Sequence, residues 1–122
     1  MGRVTQRVDP SALDDLVARP PRAAIAFSRG DRVEAVPVAF RRDGDKIWIG
    51  IERGVPLGNE ASVPAVVLVD DGRYWFELRA ITWRGHLVAA PASSPLPSDL
   101  RWLELRTESN VSWAYATVHE EP

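Results

Sequence analysis

The chain has 122 residues, enough for one domain with a hydrophobic core of its own. Its 15 basic and 17 acidic residues give a formal net charge of −2, which excludes the clustered positive face that a phosphate-neutralising nucleic-acid binder needs. Cysteine is absent, which excludes disulfides, thiolate catalysis and cysteine-ligated metals. Residues 1–7 are charged and lack the apolar run of a signal peptide, and no stretch reaches the roughly 20 apolar residues of a membrane span. The expectation is a cytoplasmic protein, residues 1–122 forming one domain, with neither a nucleic-acid nor a membrane partner.

The first element reads as a helix. Asp9 caps it, Pro10 suits the first helical position, and Asp14 and Asp15 follow inside it. Leu13, Leu16 and Val17 fall at i, i+3 and i+4 and make one apolar face. Pro20 and Pro21 end it, because a residue before proline is steered away from helical angles. So short a helix is expected to pack across one opening of a barrel.

From Ala23 the pattern is that of strands. Residues 23–28 are a short apolar run, residues 29–32 a turn, and residues 33–41 a second strand in which Val36, Val38 and Phe40 alternate with Pro37 and Ala39. Asp43-Gly44 between apolar runs predicts a tight hairpin. Residues 47–51 form the next strand, residues 52–64 a mixed segment, and residues 65–69 a further strand that turns at Gly72. A long strand is predicted over 74–88, with Gly85 marking a bulge or barrel corner. Residues 91–97 read as a proline- and serine-rich loop. Residues 102–105 and 111–118 read as a closing hairpin around Glu108, Ser109 and Asn110. One helix and about seven short strands in hairpin order mean a barrel or a sandwich, and a barrel removes the exposed edges an open sheet must defend.

The order of these segments resembles the pyridoxamine-phosphate-oxidase-like, flavin-binding split-barrel family, which includes flavin and deazaflavin reductases of actinobacteria. The likeness lies in residues 22–27 as first strand, residues 34–40 with Val36-Pro37-Val38 as second, and residues 47–53 as third. Residues 66–71 with 81–87 resemble its fourth and long fifth strands, and Val111-Ser112-Trp113 its terminal serine-tryptophan. The resemblance implies a mainly β protein, a split β-barrel of about six to seven antiparallel strands with a short N-terminal helix. It also implies a homodimer holding FMN or the deazaflavin coenzyme, and transfer of hydride to or from a small conjugated substrate. One departure stands out. Where many members carry a phosphate-binding lysine in the loop after the third strand, this chain has Leu57. That keeps a second reading open: a non-catalytic flavin- or haem-binding module, or a vestigial dimer with no cofactor.

The resemblance nominates cofactor-binding residues. Val36, Pro37 and Val38 would lie under the ring, and Gly50 would let the ring approach the backbone or else serve packing. Arg53 would pair with phosphate or else be a solvated loop arginine, and Asn59 corresponds to the family's downstream asparagine. Trp75 would stack on a partner's cofactor, although the chain's five tryptophans suit cores and interfaces better. Arg79, Arg84 and His86 are read as sharing one face of the long strand. No spacing around His86 or His119 suggests a metal site, and neither a nucleophile elbow nor a glycine-rich phosphate loop is present. No catalytic residue is nominated; any chemistry would belong to the cofactor.

Overall fold

The computed structural model describes residues 3–57, 62–74, 77–90, 96–97 and 99–117. Its first part is β1 (Arg3–Arg7), followed by a 3₁₀ turn (Pro10–Leu13) that runs into α1 (Asp14–Ala18). Asp9 caps the turn as predicted, its carboxylate accepting from the Ser11 amide at 2.9 Å, and Pro10 occupies the first position. Leu13, Leu16 and Val17 are fully buried and belong to the barrel's core cluster. The helix is therefore a plug across one end of the barrel, as its single apolar face requires.

The remaining strands are β2 (Arg22–Arg29), β3 (Arg32–Pro37), β4 (Ala39–Asp43), β5 (Lys46–Ile51), β6 (Ser62–Asp71), β7 (Arg79–Ala89) and β8 (Arg101–Thr117). All pairs are antiparallel, in the order β3-β2-β6-β7-β8-β5-β4, with β1 pairing β8 beside this path. The two ends of that path, β3 and β4, are consecutive in the chain and separated by Val38 alone. One stretch thus pairs β2 with its first half and β5 with its second, so the sheet curls round on itself. Pro37, which has no N–H to give a ladder, stands at this change of partner, and the Val38 amide bonds to the Ala23 carbonyl at 3.0 Å. Counting β3 and β4 as one bent strand, β2 and β5 to β8 complete a barrel of six, within the predicted range.

Strand alternation fills the interior. Val63, Ala65, Val67 and Val69 of β6 and Ile81, Trp83 and Leu87 of β7 point inward, meeting Ile25, Phe27, Ile47, Ile49, Ile51, Leu103 and Leu105. Phe40 stacks on Trp83 inside, with ring centroids 5.3 Å apart.

Four expectations need correction. The predicted closing hairpin does not exist: β8 is a single strand of 17 residues. Its polar stretch is a bulge, not a turn, because Arg84 pairs Ser109 while Gly85 pairs Thr107, leaving Glu108 as the extra residue. A bulge and a turn share the same polar composition, which is why the segment misleads. Second, the strand expected from residue 74 starts at Arg79; before it, the Glu77 amide closes a turn onto the Tyr74 carbonyl at 2.9 Å. Third, β6 begins at Ser62 and takes in Pro64, whose missing N–H is tolerated because β2 pairing ends at Ala65. Fourth, Arg79 shares the inward parity of Ile81 and Trp83, whereas Arg84 and His86 point outward. The strand β1 was not foreseen, and the Gly44 hairpin, with φ of 62°, was.

Gly85 has a steric reason. A Cβ there would lie 2.0 Å from the Arg106 carbonyl oxygen, so the bulge brings two backbones closer than any side chain permits. Gly85→Ala should cost about 3 kcal/mol or more, while Gly54→Ala, with open space around it, should stay within about 0.5 kcal/mol; chemical denaturation of the two variants checks this.

Arg79 ties the plug to the barrel. It bonds Asp71 across the β6–β7 turn at 3.1 Å and Asp15 of α1 at 3.0 and 3.1 Å. The hydrogen bonds it donates to Asp71 and then to Asp15 hold the guanidinium's pKa above its ordinary value. In return, the hydrogen bond from Arg79 lowers Asp15 below its ordinary 3.8. A carboxylate lowered in the folded state adds stability above its unfolded pKa and loses it as pH falls through the folded one. Arg79→Ala should therefore lower the melting temperature at neutral pH, and its difference from the parent should shrink as pH falls below about 4, read from thermal melts across pH 2–7.

Candidate functional site

The outward faces of β2, β3 and β6 carry small apolar side chains. Ala24 lies opposite Pro37 on one side and Leu68 on the other; Ala26 lies opposite Ala35 and Val66. With little side chain to stand up from the sheet, this face leaves a groove of about 570 Å³ bounded by Pro21, the start of β2, Ala35 to Val38, Leu68 and Asp70. Among the described residues its polar side chains are Arg22 and Asp70, at opposed register positions on β2 and β6. Arg22 Nε donates to Asp70 Oδ1 at 3.1 Å, and its Nη2 donates to the Gly72 carbonyl at 3.0 Å. The lining is therefore apolar with one neutralised donor–acceptor pair at its edge.

Of the predicted residues, Val36, Pro37 and Val38 all line this groove. Pro37 faces outward, while Val36 and Val38 rest their side chains against the core. Gly50 pairs Ala39 and so lies beside the same corner, but the space above it is filled. A Cβ there would come within 2.9 Å of Leu100 and of the Trp102 ring, so of its two expected roles the packing one is realised. Trp102 is held in that place by donating Nε1 to the Pro97 carbonyl at 2.7 Å.

The register Ala39–Gly50 also brings the end of β5 to the corner, and Arg53 follows it on an exposed turn closed by the Val55 amide and the Glu52 carbonyl. Leu57, at the position where the resemblance leads one to expect a lysine, is 4% exposed and part of the core, with Val55 packed against the same cluster. This loop is anchored to the barrel by apolar side chains, and its Leu57 position holds no charge toward a ligand. Asn59 and Trp75 lie outside the described residues.

Arg22 and Asp70 were not singled out from the sequence. They are 48 positions apart, and only the β2–β6 register makes them neighbours. Two tryptophans follow the core expectation: Trp48 is 9% exposed and Trp83 6%.

A second, smaller groove of about 450 Å³ lies further along the same face, over Ala26, Val66, Arg84 and His86. Here His86 Nδ1 meets the bulge residue Glu108 at 2.8 Å, both side chains being largely exposed. A surface pair of this kind contributes little net stability. Among the described residues no group of three or more His, Asp or Glu side chains converges as a metal site, and no helix is long and apolar enough to cross a membrane.

No family profile and no curated protein matches the sequence. Solved structures do. A FAD and haem binding protein from Mycobacterium smegmatis superposes with a TM-score of 0.65 at 21% identity, over 90% of this chain and 72% of that one. A FAD-binding protein from Mesorhizobium loti gives a TM-score of 0.71 at 8% identity, covering 95% of this chain and 100% of that one. A pyridoxamine 5′-phosphate oxidase candidate from Corynebacterium glutamicum gives 0.70 at 10% identity, covering 93% and 99%. With these likenesses spanning nearly the whole chain, and with its sheet closed on itself at Val38, the chain has the split-barrel fold of the pyridoxamine-phosphate-oxidase-like flavin-binding proteins.

Proposed function

We propose that this protein binds the ring of a flavin-type cofactor, FMN, FAD or a deazaflavin coenzyme, in the groove beside Val36-Pro37-Val38, and acts as an oxidoreductase on a small conjugated substrate. The observation that carries this reading is the groove itself: a shallow apolar seat at the position the sequence nominated, of a size suited to a flat heterocycle, with polar contact confined to one edge. The FAD-binding proteins that share the fold support it. A bound flavin would supply hydride transfer, and the protein's part is to seat the ring, orient it and keep water from its face.

The fit is good for a ring and different from the family pattern for a phosphate. Leu57 is buried, so within the loop after β5 the remaining cation is Arg53, which we assign to the phosphate end of the ligand. We also propose that a second copy of the chain covers the outer face. Ala24, Ala26, Ala35, Val66 and Leu68 form a flat, weakly polar surface of the kind that pairs two identical subunits.

Titration of the purified protein with FMN, FAD and the deazaflavin coenzyme, followed by ligand fluorescence and tryptophan quenching, should show saturable micromolar binding of at least one. Ala24→Trp fills the groove from an outward position and should abolish that binding, with its far-ultraviolet circular dichroism unchanged from the parent. Arg53→Ala should weaken FMN by about ten-fold while leaving the phosphate-free ring analogue lumiflavin unchanged. Unchanged FMN affinity in Arg53→Ala would remove the phosphate role, and a monomer by sedimentation equilibrium at micromolar concentration would remove the dimer.

A further inference from the structure

The edge of the groove has a chemistry of its own. Arg22 spends Nε on Asp70 and Nη2 on the Gly72 carbonyl, which fixes the plane of its guanidinium. Among the described residues neither Arg22 Nη1 nor Asp70 Oδ2 has a protein partner. Both side chains line the groove and are partly exposed, Arg22 by 51% and Asp70 by 27%. The pair is a poor seat for a free anion, because Asp70 cancels the charge and repels it. It is a poor seat for a cation for the converse reason. What it complements is a neutral group that accepts and donates side by side.

Resting on the placement of a flavin-type ring in this groove, we propose that Arg22 and Asp70 recognise the ring's imide edge. Arg22 donates to a ring carbonyl, and Asp70 accepts from the N–H beside it. The benzenoid end then lies over Ala24, Ala35 and Leu68, where among the described residues the lining is apolar. Flavins and deazaflavins share this edge, so the contact selects the ring class and not one coenzyme; choice between coenzymes falls to the groups that meet the tail. Planar aromatics that lack an imide satisfy neither atom and leave the pair desolvated under them, which disfavours them.

The test is a fluorescence titration of the full chain with lumiflavin, 3-methyllumiflavin and FMN, in the parent protein and in Asp70→Asn and Arg22→Gln. Methylation at N3 removes the donated hydrogen while leaving the ring's apolar faces intact. The parent should bind 3-methyllumiflavin about ten-fold or more weakly than lumiflavin. Asp70→Asn and Arg22→Gln should weaken lumiflavin comparably, and Asp70→Asn should shrink the gap between the two ligands. Melting curves of both variants establish that they are folded. Equal affinity for the two lumiflavins in the parent overturns the imide contact while the groove reading stands, and so does a methyl penalty that persists undiminished in Asp70→Asn. Binding of FMN without any binding of lumiflavin means the tail alone holds the ligand, which also overturns it. Failure of all three ligands to bind overturns this contact, and the proposed function falls with it when FAD and the deazaflavin coenzyme also fail to bind.

Discussion

The constraint on which the rest of this structure depends is the change of partner at Val38. A sheet whose first and last members are two halves of one strand has to curl until those halves meet, and Val38 is where they meet. A continuous ladder at that point would keep the strand with one neighbour. Pro37 interrupts it by having no hydrogen to donate, and the Val38 amide is taken up by Ala23. The corner so made faces outward with its proline and inward with its two valines. The same residues therefore close the barrel and form one wall of the groove.

Curvature elsewhere is supplied by the bulge opposite Gly85. Adding Glu108 to β8 without a counterpart on β7 tightens the local twist and lets a strand of 17 residues serve β5 with its first part and β1 with its last. The backbone approach it requires is open only to glycine. The bulge also turns Glu108 toward His86, so the second groove is a by-product of the same device. At the other end, Arg79 holds α1 through Asp15 while anchored to Asp71, and the plug is fixed by charge at its rim and by Leu13, Leu16 and Val17 beneath.

The two faces of the sheet carry different kinds of information. The inner face is filled by large aliphatic and aromatic side chains whose burial stabilises the fold. The outer face at β2, β3 and β6 is built from alanine, valine, leucine and proline, too small to cover the backbone deeply. Such a surface is costly to leave in water over a wide area and well matched to flat partners. A planar ring and the face of a second subunit are both such partners, which is why a cofactor and a dimer go together in the proposed function.

By itself the sequence determined the class of fold and most of the strands, because short apolar runs at residues 23–28, 47–51 and 65–69 with turn signals between them read as strands. It determined the helical plug through Asp9, Pro10 and one apolar stripe, the hairpin through Asp43-Gly44, and the bulge through a lone glycine in a long strand. Val36-Pro37-Val38 was legible because proline inside an alternating run is an anomaly that marks an edge or a bulge, and that it is a corner came from the pairing of β3 and β4. Tertiary structure alone decided the pairing of Arg22 with Asp70, the burial of Leu57 and the filling of the space above Gly50 by Trp102. It also decided that residues 107–110 continue a strand rather than reverse it. The physical reason is common to all four. Each depends on the register between segments far apart in the chain, and register is settled by the whole closed sheet, whereas alternation and turn chemistry are settled within a few residues.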